Sequence, residues 1–219
     1  MAVNRRGLLL GGVVAPGVFV AVSLVAAVVE PGYSIVDDHL SGLASTAATT
    51  RWAMTAAFVV LGAGVGTLAA ALRHHLGGMA IPAVLTVAAA CVVAIGLFPR
   101  SCVETACVQT AWHDTAHDVV SVPAYAALLA LPLLVARHRA EVGPWAVRGL
   151  VVVGVVAALV TVLALDPGRS GSGIVQRSIA GLPLLWLAGL TVHLDRTART
   201  GEGRGAVAPR GYARTRSGL

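Results

Sequence analysis

The chain has 219 residues, of which 57% are hydrophobic and only 12% are charged. This composition, with a mean hydropathy of +0.81, excludes an ordinary water-soluble domain and indicates a membrane protein. The net charge is +6 and all sixteen basic residues are arginine. These arginines lie in loops and a tail without an aromatic stacking platform, so we expect no nucleic-acid partner. An all-arginine basic set with excess Ala, Val and Gly is typical of a GC-rich prokaryotic genome.

Six apolar stretches predict six transmembrane helices, because each has roughly the 17–25 residues that a helix needs to cross the hydrocarbon core. Their residue ranges are 7–29, 52–72, 79–98, 119–135, 149–165 and 178–194. The predicted fold is therefore all-α, an integral membrane bundle of six transmembrane helices in residues 1–195. Residues 196–219 are rich in arginine and too polar to bury a core, which predicts a disordered tail. Within the second helix, Gly62 and Gly66 predict close contact with a neighbouring helix.

The distribution of arginine predicts the orientation of the bundle. Twelve arginines lie before the first helix, in the loops after the second and fourth helices, and in the tail. The other four are Arg51, Arg100, Arg169 and Arg177. By the positive-inside rule, both termini are cytoplasmic in the cell (plasma) membrane, and the loops after the first, third and fifth helices share the outer side. We expect the basic tail to bind the anionic lipid head groups of the inner leaflet.

A polar stretch, GLFPRSCVETACVQTAWHDTAHD, covers residues 96–118 and contains two His–Asp pairs, His113–Asp114 and His117–Asp118. On a helix, their spacing of four residues places both imidazoles on one face and both carboxylates on an adjacent face. A His-x-x-x-His pair is one way in which a helix presents two ligands to zinc. In the alternative interpretation, the acids favour the positive end of the fourth helix and the histidines lie at the wet membrane interface.

A second group of ionisable residues, Asp37, Asp38 and His39, lies in the loop after the first helix. Because this loop shares the outer side with the His–Asp pairs, we predict that the two groups converge on one polar site. Arg177 can pair with Asp37 or Asp38, bind a lipid phosphate, or extend to the membrane surface. The predicted ligands of a divalent metal such as zinc are His113, His117 and His39. The candidate catalytic residues are Asp37, Asp38, His113, Asp114, His117, Asp118 and Arg177.

The three cysteines have different predicted roles. Cys102 and Cys107 share an external loop in an oxidising setting, and a turn of four intervening residues can bring the two sulfurs together. We therefore predict a disulfide between them, against the alternative of two free thiols. Cys91 lies within the third helix, where a lone thiol is usually a small apolar packing group.

Several short motifs make the chain similar to the domain of unknown function 998 family of prokaryotic membrane proteins. They are GLFP at the end of the third helix, His113-x-x-x-His117 at the start of the fourth, Gln176-Arg177 before the sixth, and Tyr33-Ser34 through Leu40-Ser41-Gly42-Leu43 in the first loop. The resemblance runs from Gly7 to Leu194 and implies a six-helix bundle, but it supplies no activity. Such proteins often carry an acid shortly after the GLFP-like proline, where this chain has Arg100 and Ser101.

Three classes of function remain open for a multi-pass membrane protein with a His/Asp site on its outer side. The first is a structural or accessory role, and the second is a metal- or acid/base-dependent enzyme acting on a lipid or isoprenoid. The third, a small-molecule carrier, has the least support, because the ionisable residues gather at helix ends rather than in the middle of a span. The chain has no Gly-x-Ser-x-Gly motif and no P-loop, which argues against a serine hydrolase of that type and an ATP-driven machine.

Overall fold

The computed structural model describes residues 5–73, 78–103, 111–166 and 170–205, and within these ranges it contains helices and no strand. Six helices are long and apolar enough to cross a membrane, which confirms the predicted fold class. They are α1 (Arg6–Val29), α2 (Arg51–Leu72), α3 (Ala80–Leu97), α4 (Trp112–Val142), α5 (Trp145–Leu165) and α6 (Ser172–Gly205). A π-helical turn, Leu10–Val14, lies within α1, and a 3-10 turn, Ala136–His138, lies near the end of α4.

Two helices differ from the predicted spans in ways that matter for the site. Helix α4 begins at Trp112, so both His–Asp pairs lie in its first two turns rather than in a loop. This start is stabilised because the Asp114 carboxylate accepts a hydrogen bond from the Ala111 backbone N–H at 3.0 Å, and an acid in the first turn also favours the helix dipole. Helix α6 continues to Gly205, so part of the predicted tail is helical, supported by an Asp195–Arg199 ion pair of 2.8 Å.

Close helix packing in the bundle depends on small residues. A Cβ atom on Gly62 would lie 2.8 Å from the carbonyl oxygen of Ala89 and 2.5 Å from a methyl of Val93, so only glycine permits this crossing of α2 and α3. Gly66 faces the same helix, 3.8 Å from the Ala89 Cβ. The predicted contact face of α2 is therefore confirmed. Between α1 and α2, the rings of Phe19 and Phe58 pack at 5.0 Å between centroids.

The loop between α1 and α2, residues 30–50, is a folded layer over one end of the bundle, and we name it loop 1. Its centre is a short 3-10 helix, Leu40–Ala44, in which every residue is buried. Glu30 ties its two ends together, because the carboxylate accepts hydrogen bonds of 2.8–3.0 Å from the backbone N–H and hydroxyl groups of Thr49 and Thr50. Loop 1 therefore has a fixed shape at both helix junctions.

Loop 1 bonds to the two other loops at the same end of the bundle, which we name the loop end. Thr46 donates its backbone N–H to the carbonyl of Arg100 at 2.7 Å, and Ile174 at the start of α6 donates to the carbonyl of Val36 at 3.1 Å. The Gly171 N–H donates to the Asp37 carboxylate at 2.8 Å. The connections that follow α1, α3 and α5 thus meet on one face, as expected when each helix crosses the membrane once. Which side of the membrane this face occupies stays a prediction from the arginine distribution.

Candidate functional site

Both histidines of the His–Asp repeat hold the backbone of the segment that follows α3. The Nδ1 of His113 lies 2.6 Å from the carbonyl oxygen of Pro99, and the Nδ1 of His117 lies 2.8 Å from that of Phe98. Because a carbonyl oxygen only accepts hydrogen bonds, each Nδ1 must carry the proton. In each neutral ring the lone pair is therefore on Nε2.

The two acids of the repeat hold the next two residues of the same segment. Asp114, which is buried, accepts hydrogen bonds from the backbone N–H and the hydroxyl of Ser101, both at 2.7 Å. Asp118 forms an ion pair with Arg100 at 2.5 Å. Each of the four residues thus contacts a different residue of the segment 98–101, and we call this set of contacts the His–Asp clamp. The clamp thus brings the GLFPRS and HDTAHD segments of the sequence into contact.

A cavity of about 340 Å³ lies beneath loop 1, next to the clamp. All six helices and loop 1 contribute to its walls. Its polar lining is His39, Ser41, Arg100, His117, Asp118, Ser121, Tyr125 and Gln176. Most of the remaining lining is apolar, with Phe19, Phe58, Leu61, Leu128, Leu163 and Leu184 among the larger side chains. The cavity is therefore amphipathic, since polar groups from loop 1 and the clamp meet apolar walls supplied by the bundle.

The structure brings together only part of the predicted polar site. His39, His117 and Asp118 line the cavity, whereas Asp37, Asp38, His113, Asp114 and Arg177 are not among its lining residues. Asp37 is exposed and accepts hydrogen bonds from Ser34 and Gly171, and the carboxylate of Asp38 accepts the Ser34 N–H at 2.8 Å. These two acids therefore shape loop 1 and its contact with the start of α6.

Arg177 supports loop 1 from beneath. Its guanidinium donates to the carbonyl oxygens of Ile35 and Asp38, both at 2.8 Å, and to the Tyr33 hydroxyl. It also lies over the Tyr33 ring, 5.4 Å from the centroid. These contacts hold the backbone of loop 1, including the carbonyl of Asp38, one of the two acids predicted to pair with Arg177. The three roles considered from the sequence stay predictions.

Electrostatics at the loop end keep His39 neutral. Its pKa is lowered from the ordinary 6.5 to about 4, first by burial and then by the positive charges of Arg100 and Arg177, which outweigh the opposite influence of Asp38 and Asp118. At neutral pH His39 is therefore an uncharged imidazole. Glu30 is the opposite case: burial raises its pKa, but the hydrogen bonds from Thr49 and Thr50 outweigh burial and lower it overall. Its carboxylate is therefore ionised at neutral pH.

Two of the three histidines predicted to bind a metal lie in the same cavity. His39 and His117 share the cavity, while His113 faces the Pro99 carbonyl. Among the residues that the structure describes, no group of three or more His, Cys, Asp or Glu side chains is placed to hold a metal ion. A zinc site formed by His113, His117 and His39 stays a prediction.

The cysteines are described in part. Cys102 is disulfide-bonded and Cys91 is a free thiol. Cys107 falls outside the described residues. The Cys102–Cys107 pairing therefore stays a prediction, although Cys91 is excluded as the partner of Cys102.

Several residues that line the cavity are not predicted from the sequence, although the spacing of some of them places them on the same helix face as His117. Ser121 and Tyr125 follow His117 at successive intervals of four, so they continue its helix face, and all three line the cavity. Gln176 joins two walls, because its side chain accepts the Leu40 N–H at 2.6 Å and hydrogen-bonds Tyr125. No local pattern marks Ser41, which reaches the cavity only through the fold of loop 1.

A comparison of the sequence with models of known protein families shows the family to which this chain belongs. The family model described as "Protein of unknown function (DUF998)" matches residues 13–193, a range that includes most of α1, all of α2 to α5, and α6 as far as His193. The chain belongs to the DUF998 family. The resemblance inferred from the short motifs is thereby confirmed, and the match contains both the His–Asp clamp and the cavity. No curated protein and no solved structure matches the chain, so the function of this DUF998 protein must be argued from its own residues.

Proposed function

We propose that this DUF998 protein binds an amphiphilic molecule of the lipid or isoprenoid class in the cavity beneath loop 1. The observation that carries the proposal is the division of the cavity lining into a polar end, with His39, Arg100 and His117, and apolar walls formed by the helices. A head group would lie against the polar residues, and an apolar chain would extend between the helices. The volume of about 340 Å³ falls in the common range of small-molecule sites, about 300–1,000 Å³.

The position of the cavity mouth favours a ligand that comes from the bilayer. Two lining residues on α4, Asp118 and Val122, are highly exposed, and they lie four residues apart on one face of the helix. Val122 is 69% exposed although it belongs to a helix apolar enough to cross the membrane. An exposed apolar side chain at the mouth is suited to lipid chains, and the adjacent Asp118 is suited to a polar head group.

The proposal is tested by filling the cavity. Ala180→Phe adds a ring to the cavity wall on α6, whereas Ala90→Phe adds the same ring to an exposed position on α3. We expect Ala180→Phe to weaken the binding of a fluorescent lipid to purified protein at least tenfold, and Ala90→Phe to leave the dissociation constant within about twofold. Equal affinities for both variants and the unaltered chain would place lipid binding outside this cavity.

A second candidate function is acid/base chemistry on the bound head group. It is favoured by the presence of His39 and His117 in one cavity, because the backbone carbonyl of Phe98 fixes the tautomer of His117 and leaves its Nε2 as a base. Turnover of a membrane lipid extract, followed by mass spectrometry, should then stop in His117→Ala and persist in His193→Ala. Unchanged lipid composition with the unaltered protein would leave binding without catalysis.

We further propose that the loop end faces the outside of the cell, as the arginine distribution favours. Reporter fusions after Arg139 and within residues 166–177 test this orientation. The first should report the cytoplasm and the second the opposite side. The reverse result would place the cavity mouth in the inner leaflet and leave the binding proposal otherwise intact.

A further inference from the structure

We infer that the head group bound in the cavity is anionic, a phosphate or a carboxylate attached to an apolar chain. This inference rests on the proposed lipid-binding function and adds the chemistry of the ligand's polar end. Two features of the polar end support it. The first is a pair of buried hydrogen-bond donors that have no partner among the described residues, and the second is a positive charge that lies deeper than the negative charge paired with it.

Arg100 supplies the first donor. The residue is held in place because its carbonyl oxygen accepts the Thr46 N–H at 2.7 Å and its guanidinium pairs with Asp118. Its Nε atom is buried and has no hydrogen-bond partner among the described residues. A buried N–H without a partner costs stability, so an unpaired donor beside a cavity is expected to be satisfied by a ligand.

Ser41 supplies the second donor. It lies in the 3-10 helix of loop 1, lines the cavity, and is only 6% exposed. Its hydroxyl has no hydrogen-bond partner within the described part of the chain. Because a hydroxyl can rotate about its bond, it can donate to an oxygen of the ligand. Two unpaired donors on one cavity match a group with several acceptor oxygens, and charge makes such bonds stronger.

The ion pair between Arg100 and Asp118 leaves a net positive potential inside the cavity. The Arg100 side chain is 20% exposed and that of Asp118 is 60% exposed, so surrounding solvent screens the carboxylate more strongly than the guanidinium. The titration of His39 is consistent with this, because after burial Arg100 and Arg177 are the largest influences on its pKa, and both lower it. This potential attracts an anion and repels a cation.

The test compares four amphiphiles with the same chain and different head groups. Dodecyl phosphate, dodecanoate, dodecanol and dodecyltrimethylammonium are titrated at pH 7.5 into full-length protein in an uncharged detergent, with calorimetry as the readout. We expect at least one of the two anions to bind tenfold or more tightly than dodecanol, and the cation to bind most weakly. The two anionic arms separate a phosphate from a carboxylate.

Variants assign this preference to the named donors. Arg100→Gln should lower the affinity for the preferred anion about tenfold while dodecanol binding changes less than twofold, and Arg100→Lys should restore part of the loss. Ser41→Ala leaves the clamp intact and should reduce the anion affinity about threefold. This variant tests the inference even if Arg100→Gln fails to fold. Arg148→Gln is the matched control, because Arg148 stacks on Trp145 away from the cavity.

Each outcome supports or overturns a defined statement. If the unaltered protein binds dodecanol as tightly as both anions, or if the preference survives in Arg100→Gln and in Ser41→Ala, the anionic head group is wrong and lipid binding still stands. If neither the unaltered protein nor Arg148→Gln binds any of the four amphiphiles, the proposed function itself fails. Tightest binding of the cation would reverse the sign of the inferred potential.

Discussion

The two His–Asp pairs of α4 have the same sequence and hold neighbouring residues of one segment, yet their surroundings differ. In the first pair the acid is the more buried member, since Asp114 is 3% exposed and His113 lies closer to the surface. In the second pair the order is reversed, because His117 is 3% exposed and the Asp118 side chain is 60% exposed. Only the second pair lines the cavity.

Helix geometry accounts for this difference. A step of four residues turns the chain by about 40° beyond a full turn and moves it about 6 Å along the axis. This step brings the second pair to the edge of the cavity while its contacts with Phe98 and Arg100 are kept. The first pair therefore fixes the segment after α3, whereas the second pair both fixes that segment and presents His117 and Asp118 to a ligand. The predictions below test this division of roles.

The largest effect is expected for the buried acid of the first pair. Asp114→Ala leaves three hydrogen-bond donors of Ser101 and Ala111 without their acceptor, and we expect a loss of about 3 kcal/mol or more in the free energy of unfolding. Asp118→Ala removes a largely exposed partner of an ion pair and should cost about 1 kcal/mol. Unfolding of each purified variant by titration with a denaturing detergent measures both values. Equal losses would contradict the division of roles.

The bundle itself could be predicted from the sequence, because a membrane imposes strict limits on length and polarity. Runs such as residues 52–72 are apolar throughout, and only helices satisfy their backbone groups in lipid. The apolar run that predicts α4 begins at residue 119, seven residues after the helix starts at Trp112, because the charged turns that contain His113 and Asp118 precede it. Those turns are helical because Asp114 accepts the Ala111 N–H and the clamp binds the segment after α3.

The candidate site could be predicted only in part, because it depends on how each helix is rotated about its axis. The spacing of His113 and His117 indicates a shared face but not which ring reaches a cavity. Gln176 contributes only because α6 brings it against the Leu40 N–H, a contact between residues 136 positions apart in the chain. One sequence carries no record of such long-range neighbours. The missed residues Ser121 and Tyr125 differ from Gln176 in this respect, because intervals of four from His117 place them on its helix face.

The next effect separates the two histidines by ligand binding. Each donates one hydrogen bond to a backbone carbonyl, so His113→Ala and His117→Ala should each cost about 1–2 kcal/mol of stability. Only His117 lines the cavity, so we expect His117→Ala to weaken lipid binding fivefold or more and His113→Ala to change it less than twofold. Affinity for a fluorescent lipid is the measurement. A similar loss in both variants would mean that the clamp affects binding only through the fold.

A smaller effect is expected from pH, and it concerns His39, which lines the same cavity as the second pair. The pKa of His39 is about 4 in the folded protein, below the ordinary 6.5, chiefly because of burial. When folding lowers a pKa, the unfolded chain binds the proton first as pH falls, so the related stability is present above pH 6.5 and is lost toward pH 4.

The thermal midpoint should therefore decline between about pH 6.5 and pH 4, and His39→Gln should flatten that part of the curve. The pKa of Glu30 lies below its usual 4.5. Its carboxylate is therefore protonated, and its hydrogen bonds with Thr49 and Thr50 weakened, only at a pH below 4.5. Glu30→Gln is the control, and it should leave the slope between pH 6.5 and pH 5 in place. A slope unaffected by His39→Gln would assign the pH response to other groups.

The smallest effect on lipid binding in the cavity is expected from reduction of the disulfide at Cys102, which lies next to the segment that the first pair holds. Cys102 is disulfide-bonded and follows Ser101, whose N–H and hydroxyl bind Asp114. If its partner is Cys107, alkylation of the denatured, unreduced protein labels Cys91 alone, and labelling of all three thiols would exclude the bridge. Reduction should lower the thermal midpoint, but by less than the loss of a bridge between distant residues, because closing a short loop removes only about 2 kcal/mol of entropy from the unfolded chain. Lipid affinity should stay within about twofold, since His117 and Phe98 keep their hydrogen bond. A large loss of affinity on reduction would instead show that the first pair and its loop control the cavity, and the two His–Asp pairs would then act as one unit.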